Sequence, residues 1–238
     1  MINQLKIECF KMKRFTPLYV SILAYLMMWV AMMVEGFKPQ TLAMFLCMHD
    51  GYVESVQDCS FAFLWGMLVA WYAGIDFTNR TLHISIVTGG NRWKVVLSRL
   101  FATSIITITF HVVDIISQVI LYGKIYGFSF EGFCKKDIIW FLVVCLQMIA
   151  FNAFFLFITY ICGSVYAALF ASVTVSAIGG NILRNVFVGN YIYEHSFFCL
   201  AKSNANSDLI PCAICAIIIA VILVVATILY FNKKDITN

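Results

Sequence analysis

DFTNRTLHISIVTGGNRWKVVLSRL, running from Asp76 to Leu100, is the longest charged interruption between two strongly apolar segments of the chain. Its residues suggest two short-range events. Asp76 closes an apolar run, and a side-chain oxygen of Thr78 or Asn79 can cap a new helix on which Leu82, Ile84, Ile86 and Val87 supply apolar contacts. Gly89 and Gly90 then break that helix, because paired glycines tolerate backbone angles other residues avoid. Asn91 can cap a second helix that runs on into a membrane. Arg92, Lys94 and Arg99 fall on its first turns, where cationic stems lie along lipid with their heads in water, and Trp93 is an interfacial anchor. A short helix held at a membrane surface is a lever that a soluble partner can push.

The membrane itself follows from composition. The chain is 62% hydrophobic and 12% charged, whereas a soluble domain is roughly 45–50% apolar and about 25% charged. An all-α, polytopic membrane protein is expected. The net charge of +4 is modest, and no basic run interleaved with aromatics points to nucleic acid. MINQLKIECFKMKRF lacks small residues for a cleavage site before the first apolar run, so it reads as the approach to an uncleaved span.

A bilayer crossing takes about 20 apolar residues, and six segments approach that length: Pro17–Val34, Ser60–Ile75, Ser98–Tyr122, Ile138–Ile161, Val165–Leu183 and Leu209–Phe231. The second reaches it only if Val56 and Gln57 join, and the fifth contains Gly179, Gly180 and Asn181. No repeat or linker divides the chain, so residues 1–238 read as one transmembrane domain. Within it, residues 1–16 form an interfacial helix, with Ile2, Leu5, Cys9, Phe10 and Met12 near helical spacing among basic residues, and residues 76–97 form a cytoplasmic region. Thr16 and Pro17 mark the turn into the bilayer. ICGSVY, residues 161–166, reads as a tight helical hairpin, and the stretch from Glu35 to Cys59 as a loop lying flat on the outer surface.

Cations orient such a chain. With both termini in the cytoplasm, Lys6, Lys11, Lys13, Arg14, Arg80, Arg92, Lys94, Arg99, Lys233 and Lys234 lie inside, while Lys38, Lys124, Lys135, Lys136, Arg184 and Lys202 lie outside among most of the acids. Lys135 and Lys136 oppose this orientation unless Glu131 and Asp137 hold them locally. Cys47 and Cys59, both outside, can form a disulfide or remain free thiols.

Within the third segment His111, Asp114, Ser117 and Gln118 share a helical stripe. A carboxylate at that depth must face protein or water, so the stripe is either a polar pathway for substrate or protons, or glue between helices with Arg184 or His111 as partner of Asp114. His83, His111 and His195 are too scattered for a metal site. No catalytic residues stand out, and Gly89–Gly90 lacks the following GKS or GKT of a nucleotide loop. The chain is therefore not expected to be an enzyme, and any ATP it uses is bound elsewhere.

Six segments, IECFKMKR before the first, RTLHISIVTGGNRWKVVLSRL after the second and the ending ILYFNKKDI together resemble the permease subunits of type-2 ATP-binding-cassette (ABC) exporters. The likeness is strongest to the small bacterial permeases of immunity to lantibiotics and other peptide antibiotics. The resemblance implies an elbow helix at residues 1–16, and an ATPase-coupling element with Arg80, Leu82, His83, Ile84 and Ile86 that passes motion through Arg92 to the third span. It implies two copies of a separate ATPase binding ATP and Mg, a second or sister permease, residence in the bacterial plasma membrane, and export of a peptide antibiotic or other amphipathic compound. Two other classes remain open: a proton-coupled secondary carrier using His111 and Asp114, for which internal repeats are expected and none is visible, and a non-transporting scaffold or sensor.

Overall fold

A computed structural model describes residues 2–34, 48–57, 62–79, 91–178 and 209–233. Among these, the chain is helical throughout its regular structure, with α1 (Ile2–Lys13), α2 (Thr16–Val34), α3 (Met48–Gln57), α4 (Ala62–Thr78), α5 (Arg92–Tyr126), α6 (Lys135–Cys162), α7 (Val165–Ile178) and α8 (Leu209–Lys233). Three of them, α5, α6 and α8, are long and apolar enough to cross a membrane. Against the expectation of six crossings, the described residues show three helices of sufficient length and apolarity. The apolar stretches Thr16–Met27 of α2 and Val165–Ser176 of α7 are shorter, and residues 179–183, which were to complete the fifth segment, lie outside the described part. Val56 and Gln57 do not extend the second segment, because they belong to α3 and Val56 is buried there.

Local chemistry explains the breaks. α1 and α2 are separated at Arg14 and Phe15, just before Pro17, which fits the first turn of a helix because its missing N–H is one the helix does not need. Gly163 ends α6 in the left-handed conformation (φ +62°), its N–H donating to the carbonyl of Thr159 at 2.9 Å, and α7 starts two residues later. The hairpin read from ICGSVY is present. Asn91 does precede α5, but its side chain makes no capping hydrogen bond. Its backbone carbonyl accepts from Lys94 N–H and Val95 N–H instead.

The core lies where α6 packs against α8, α4 and α5, and α4 packs against α7. Trp65, Val69, Phe110, Trp140, Phe151, Phe155 and Tyr160 fill it. A smaller cluster of Phe15, Leu68, Tyr72, Ala102 and Ile106 seats the junction of α1 and α2 on α4 and α5. Of the stretch expected to lie on the outer surface, α3 is described and the rest lies outside the described residues. α3 docks on α5, with Gly51 so near Tyr122 that an added Cβ would sit 2.6 Å from its ring.

Direction follows from contacts. α5 and α6 are joined by residues 127–134 and run antiparallel, so Asn91 and Gly163 share one end of the bundle. The Arg92 guanidinium donates to the carbonyls of Phe231 (2.5 Å) and Asn232 (3.1 Å), bringing the end of α8 to the same place. α1 joins them there through the contacts described next.

Candidate functional site

At that end lies a cluster of buried charge contributed by three helices. Arg99 of α5 is 2% exposed and Asp76 of α4 is 4% exposed. Arg99 Nη2 donates to Asp76 Oδ2 at 2.5 Å, and Arg99 Nη1 donates to the Tyr160 hydroxyl of α6 at 3.0 Å. Lys11 of α1 donates to the same Asp76 oxygen at 2.5 Å and lies 3.6 Å from Glu8. Glu8 in turn accepts from the Tyr72 hydroxyl at 2.6 Å and faces Arg99 Nε at 3.9 Å. The spacings make this possible: Glu8 and Lys11 are one turn apart on α1, and Tyr72 and Asp76 one turn apart on α4.

Two cations and two carboxylates balance here, which is the condition under which charge can leave water without a large cost. The reading of Arg99 as a cation whose head reaches water is therefore corrected: its head is buried against Asp76. Arg92 is also turned inward, onto the exposed carbonyls at the end of α8 and over the Phe231 ring at 5.3 Å, where a cation complements the helix dipole. Tyr160, edge-on to Phe77 (5.1 Å) and to Phe231 (4.9 Å), links the cluster to α8. Arg80, Leu82, His83, Ile84 and Ile86, expected to contact an ATPase, lie outside the described residues, but both ends of their segment are fixed, since Asp76 precedes it and Arg99 follows it.

Deeper in the bundle, Asp114 is 1% exposed and accepts a hydrogen bond from the Tyr25 hydroxyl of α2. Its expected partner Arg184 lies outside the described residues. His111 is fully buried, edge-on to Trp65 at 5.6 Å and stacked on Phe141 at 6.3 Å. Gln118 is only half-buried, and Ser117 donates to the Val113 carbonyl of its own helix. The stripe thus divides: His111 and Asp114 point inward, while Gln118 stands at the margin. Nearby, Asn152 of α6 donates to Thr107 Oγ1 of α5 at 2.7 Å.

At the opposite end, Asp137 accepts from the Cys134 N–H at 2.8 Å, capping α6, and lies 3.3 Å from His49 Nε2. Tyr52 donates to the Asp137 carbonyl at 2.9 Å, and burial, followed by the nearby Asp137 charge, pushes its hydroxyl up to about 12. Asp137 is thereby committed to the cap and to His49, so it does not hold Lys135 or Lys136 as the sequence suggested. Cys47 and Cys59 lie outside the described residues.

The cluster of Glu8, Lys11, Tyr72 and Tyr160 and the donor Tyr25 were missed from sequence. The one available signal was the opposite sign of Asp76 and Arg99 on the two flanks of the island. What the geometry defines, among the described residues, is an assembly of helices, three of them apolar and of span length, with a charge-locked joint at one end. Comparison with protein-family models, with curated proteins and with solved structures finds no match.

Proposed function

We propose that this chain is the membrane-spanning permease subunit of an ABC exporter, with six crossings (α2, α4, α5, α6, α7 and α8), both termini in the cytoplasm, and a separate ATPase pair. The cargo class is a peptide antibiotic or other amphipathic compound, and the setting is a bacterial plasma membrane. The observation that supports it is the clamp across the island: Asp76 before the segment and Arg99 after it are paired, and the pair is tied to α1, α6 and, through Arg92, to α8. A force applied to residues 80–90 would reach five helices within their terminal turns. A permease driven by an external ATPase needs such a joint, because each state of the ATPase must favour one arrangement of the bundle.

The test is to replace Leu82 and Ile86 together with Asp. The purified complex should lose its ATPase and transport should stop, with the permease still folded in membranes. Full copurification and undiminished export would refute the coupling assignment.

The burial of Asp114 and His111 favours a second reading, a carrier driven by protons. Export that persists after ATP depletion and stops with a protonophore would select it.

A further inference from the structure

The connection between α5 and α6 holds an apolar tip outward by its own backbone geometry. Gly127 and Gly132 adopt φ of +94° and +93°, the Glu131 N–H donates to Ser129 Oγ at 3.2 Å, and the Phe133 N–H donates to the Phe130 carbonyl at 3.4 Å. Phe133 turns inward, its ring 5.0 Å from that of His49 and 5.5 Å from that of Tyr52. The same turn leaves Phe130 82% exposed, and Phe128 is exposed beside it, resting on Gly123, where an added Cβ would lie 2.5 Å from the ring.

Cations flank this tip. Lys124, Lys135 and Lys136 are exposed, and among the described residues no carboxylate lies within ion-pairing distance of any of them. Lys135 and Lys136 open α6, where a cation meets the positive end of the helix dipole, so they do not serve the helix they begin. Directly below, Ile138, Ile139 and Leu142 are exposed on a span-length helix and continue the apolar tip into a lipid-facing stripe.

We propose that residues 127–134 together with Lys124, Lys135 and Lys136 dock on anionic phospholipid. Phe128 and Phe130 enter the top of the acyl layer, and the lysines engage headgroup phosphates. Charge decides the occupant. A second copy of this chain would bring the same lysines face to face, and a cationic peptide is repelled by them. An anionic headgroup layer satisfies both the cations and the rings, as at other interfacial belts where aromatic and cationic side chains sit together. The inference does not depend on the exporter reading, since it concerns only the seating of the α5–α6 connection.

The experiment uses the full chain in nanodiscs of phosphatidylcholine alone or mixed with phosphatidylglycerol. A spin label is placed by Phe130→Cys in a background with the native cysteines replaced, and a second label at Asn91 serves as the water-exposed reference. In phosphatidylglycerol-containing discs the label at 130 should be shielded from a water-soluble nickel relaxant and open to oxygen. Wild-type protein extracted from the mixed lipid should retain phosphatidylglycerol in preference to phosphatidylcholine. Replacing Lys124, Lys135 and Lys136 by Gln should cut that preference by about fivefold per lysine, and Arg at the same positions should restore it. Excess inorganic phosphate should leave the label's depth unchanged. A label as open to nickel as the Asn91 reference in both lipids, or a preference unaffected by the Gln variant, would overturn the proposal. So would a label driven back into water by phosphate, which would indicate a free-anion site.

Discussion

Arg99 and Asp114 are both ionisable groups inside an apolar helix, and their contacts among the described residues differ. Arg99 is met by the full charge of Asp76 and, farther off, of Glu8. Arg99→Met should therefore leave two buried carboxylates against Lys11 alone, at a cost near the lower end of the about 3–5 kcal/mol typical of breaking a buried pair. Thermal unfolding of the protein in detergent should show this loss, and Arg99→Met combined with Asp76→Leu should recover most of it. If the single variant melts with wild type, the cluster does not hold the joint. Among the described residues Asp114 accepts from the Tyr25 hydroxyl, and Asp114→Asn keeps an acceptor for that bond, so the Asn variant should be the more stable of the two changes at this pair. Tyr25→Phe, which removes the donor from the carboxylate, should cost about 1–3 kcal/mol. The reverse order of stabilities would mean that Tyr25 is not the group that satisfies Asp114.

Elements bring these residues together only where backbones come close. α4 meets the start of α7 through a glycine: a Cβ at Gly74 would lie 3.0 Å from the Val165 Cα, a backbone atom that cannot rotate away. Gly74→Ala should then separate α4 from α7 and cost about 1–3 kcal/mol, the usual range for overpacking. Gly66→Ala meets the Phe155 ring instead, at 2.9 Å from its Cε1, and a ring can shift, so the second variant should melt higher than the first; equal melting would show that α4 tolerates displacement at either place.

The same scale shows what was legible in the sequence. The α1–α2 boundary and the Gly163 hairpin were, because Pro17 and Gly163 act on their own backbone. Asp114 facing inward was legible from cost alone. Arg99 was not, because a long cationic stem at the end of a span is ordinarily read as reaching water, and its partner Asp76 lies across an island whose fold is not written in local spacing. α3 was not, because its docking depends on Gly51 meeting Tyr122, a contact between distant segments.

At the scale of the whole molecule, the contacts sort the chain into two ends before any membrane is considered. α1, Asn91, Gly163 and the end of α8 lie together, joined by the Lys11–Asp76–Arg99 cluster and by Arg92 on the carbonyls of α8. α3 and residues 127–134 lie at the other end, joined through Tyr52 and His49 to Asp137. Lys6, Lys13, Arg14, Lys94 and Lys233 add to the first end, while the second carries Lys124, Lys135 and Lys136 among Asp50, Glu54 and Glu131, so the larger share of cations lies at the first. Since cations near span ends are retained in the cytoplasm, the first end is expected to face inward. In intact cells, a single cysteine at Glu54, exposed on α3, should react with an impermeant thiol reagent, and single cysteines at Asn91 and Lys233 should react only after the membrane is opened. The two ends must also exchange roles together, because the pairing of Asp76 with Arg99 and of Arg92 with α8 fixes Asn91 and Lys233 to one side. Labelling of Asn91 from outside, with Glu54 protected, would invert the orientation and leave the fold standing; labelling of Asn91 and Glu54 from the same side would contradict the docking of α3 at the far end of α5.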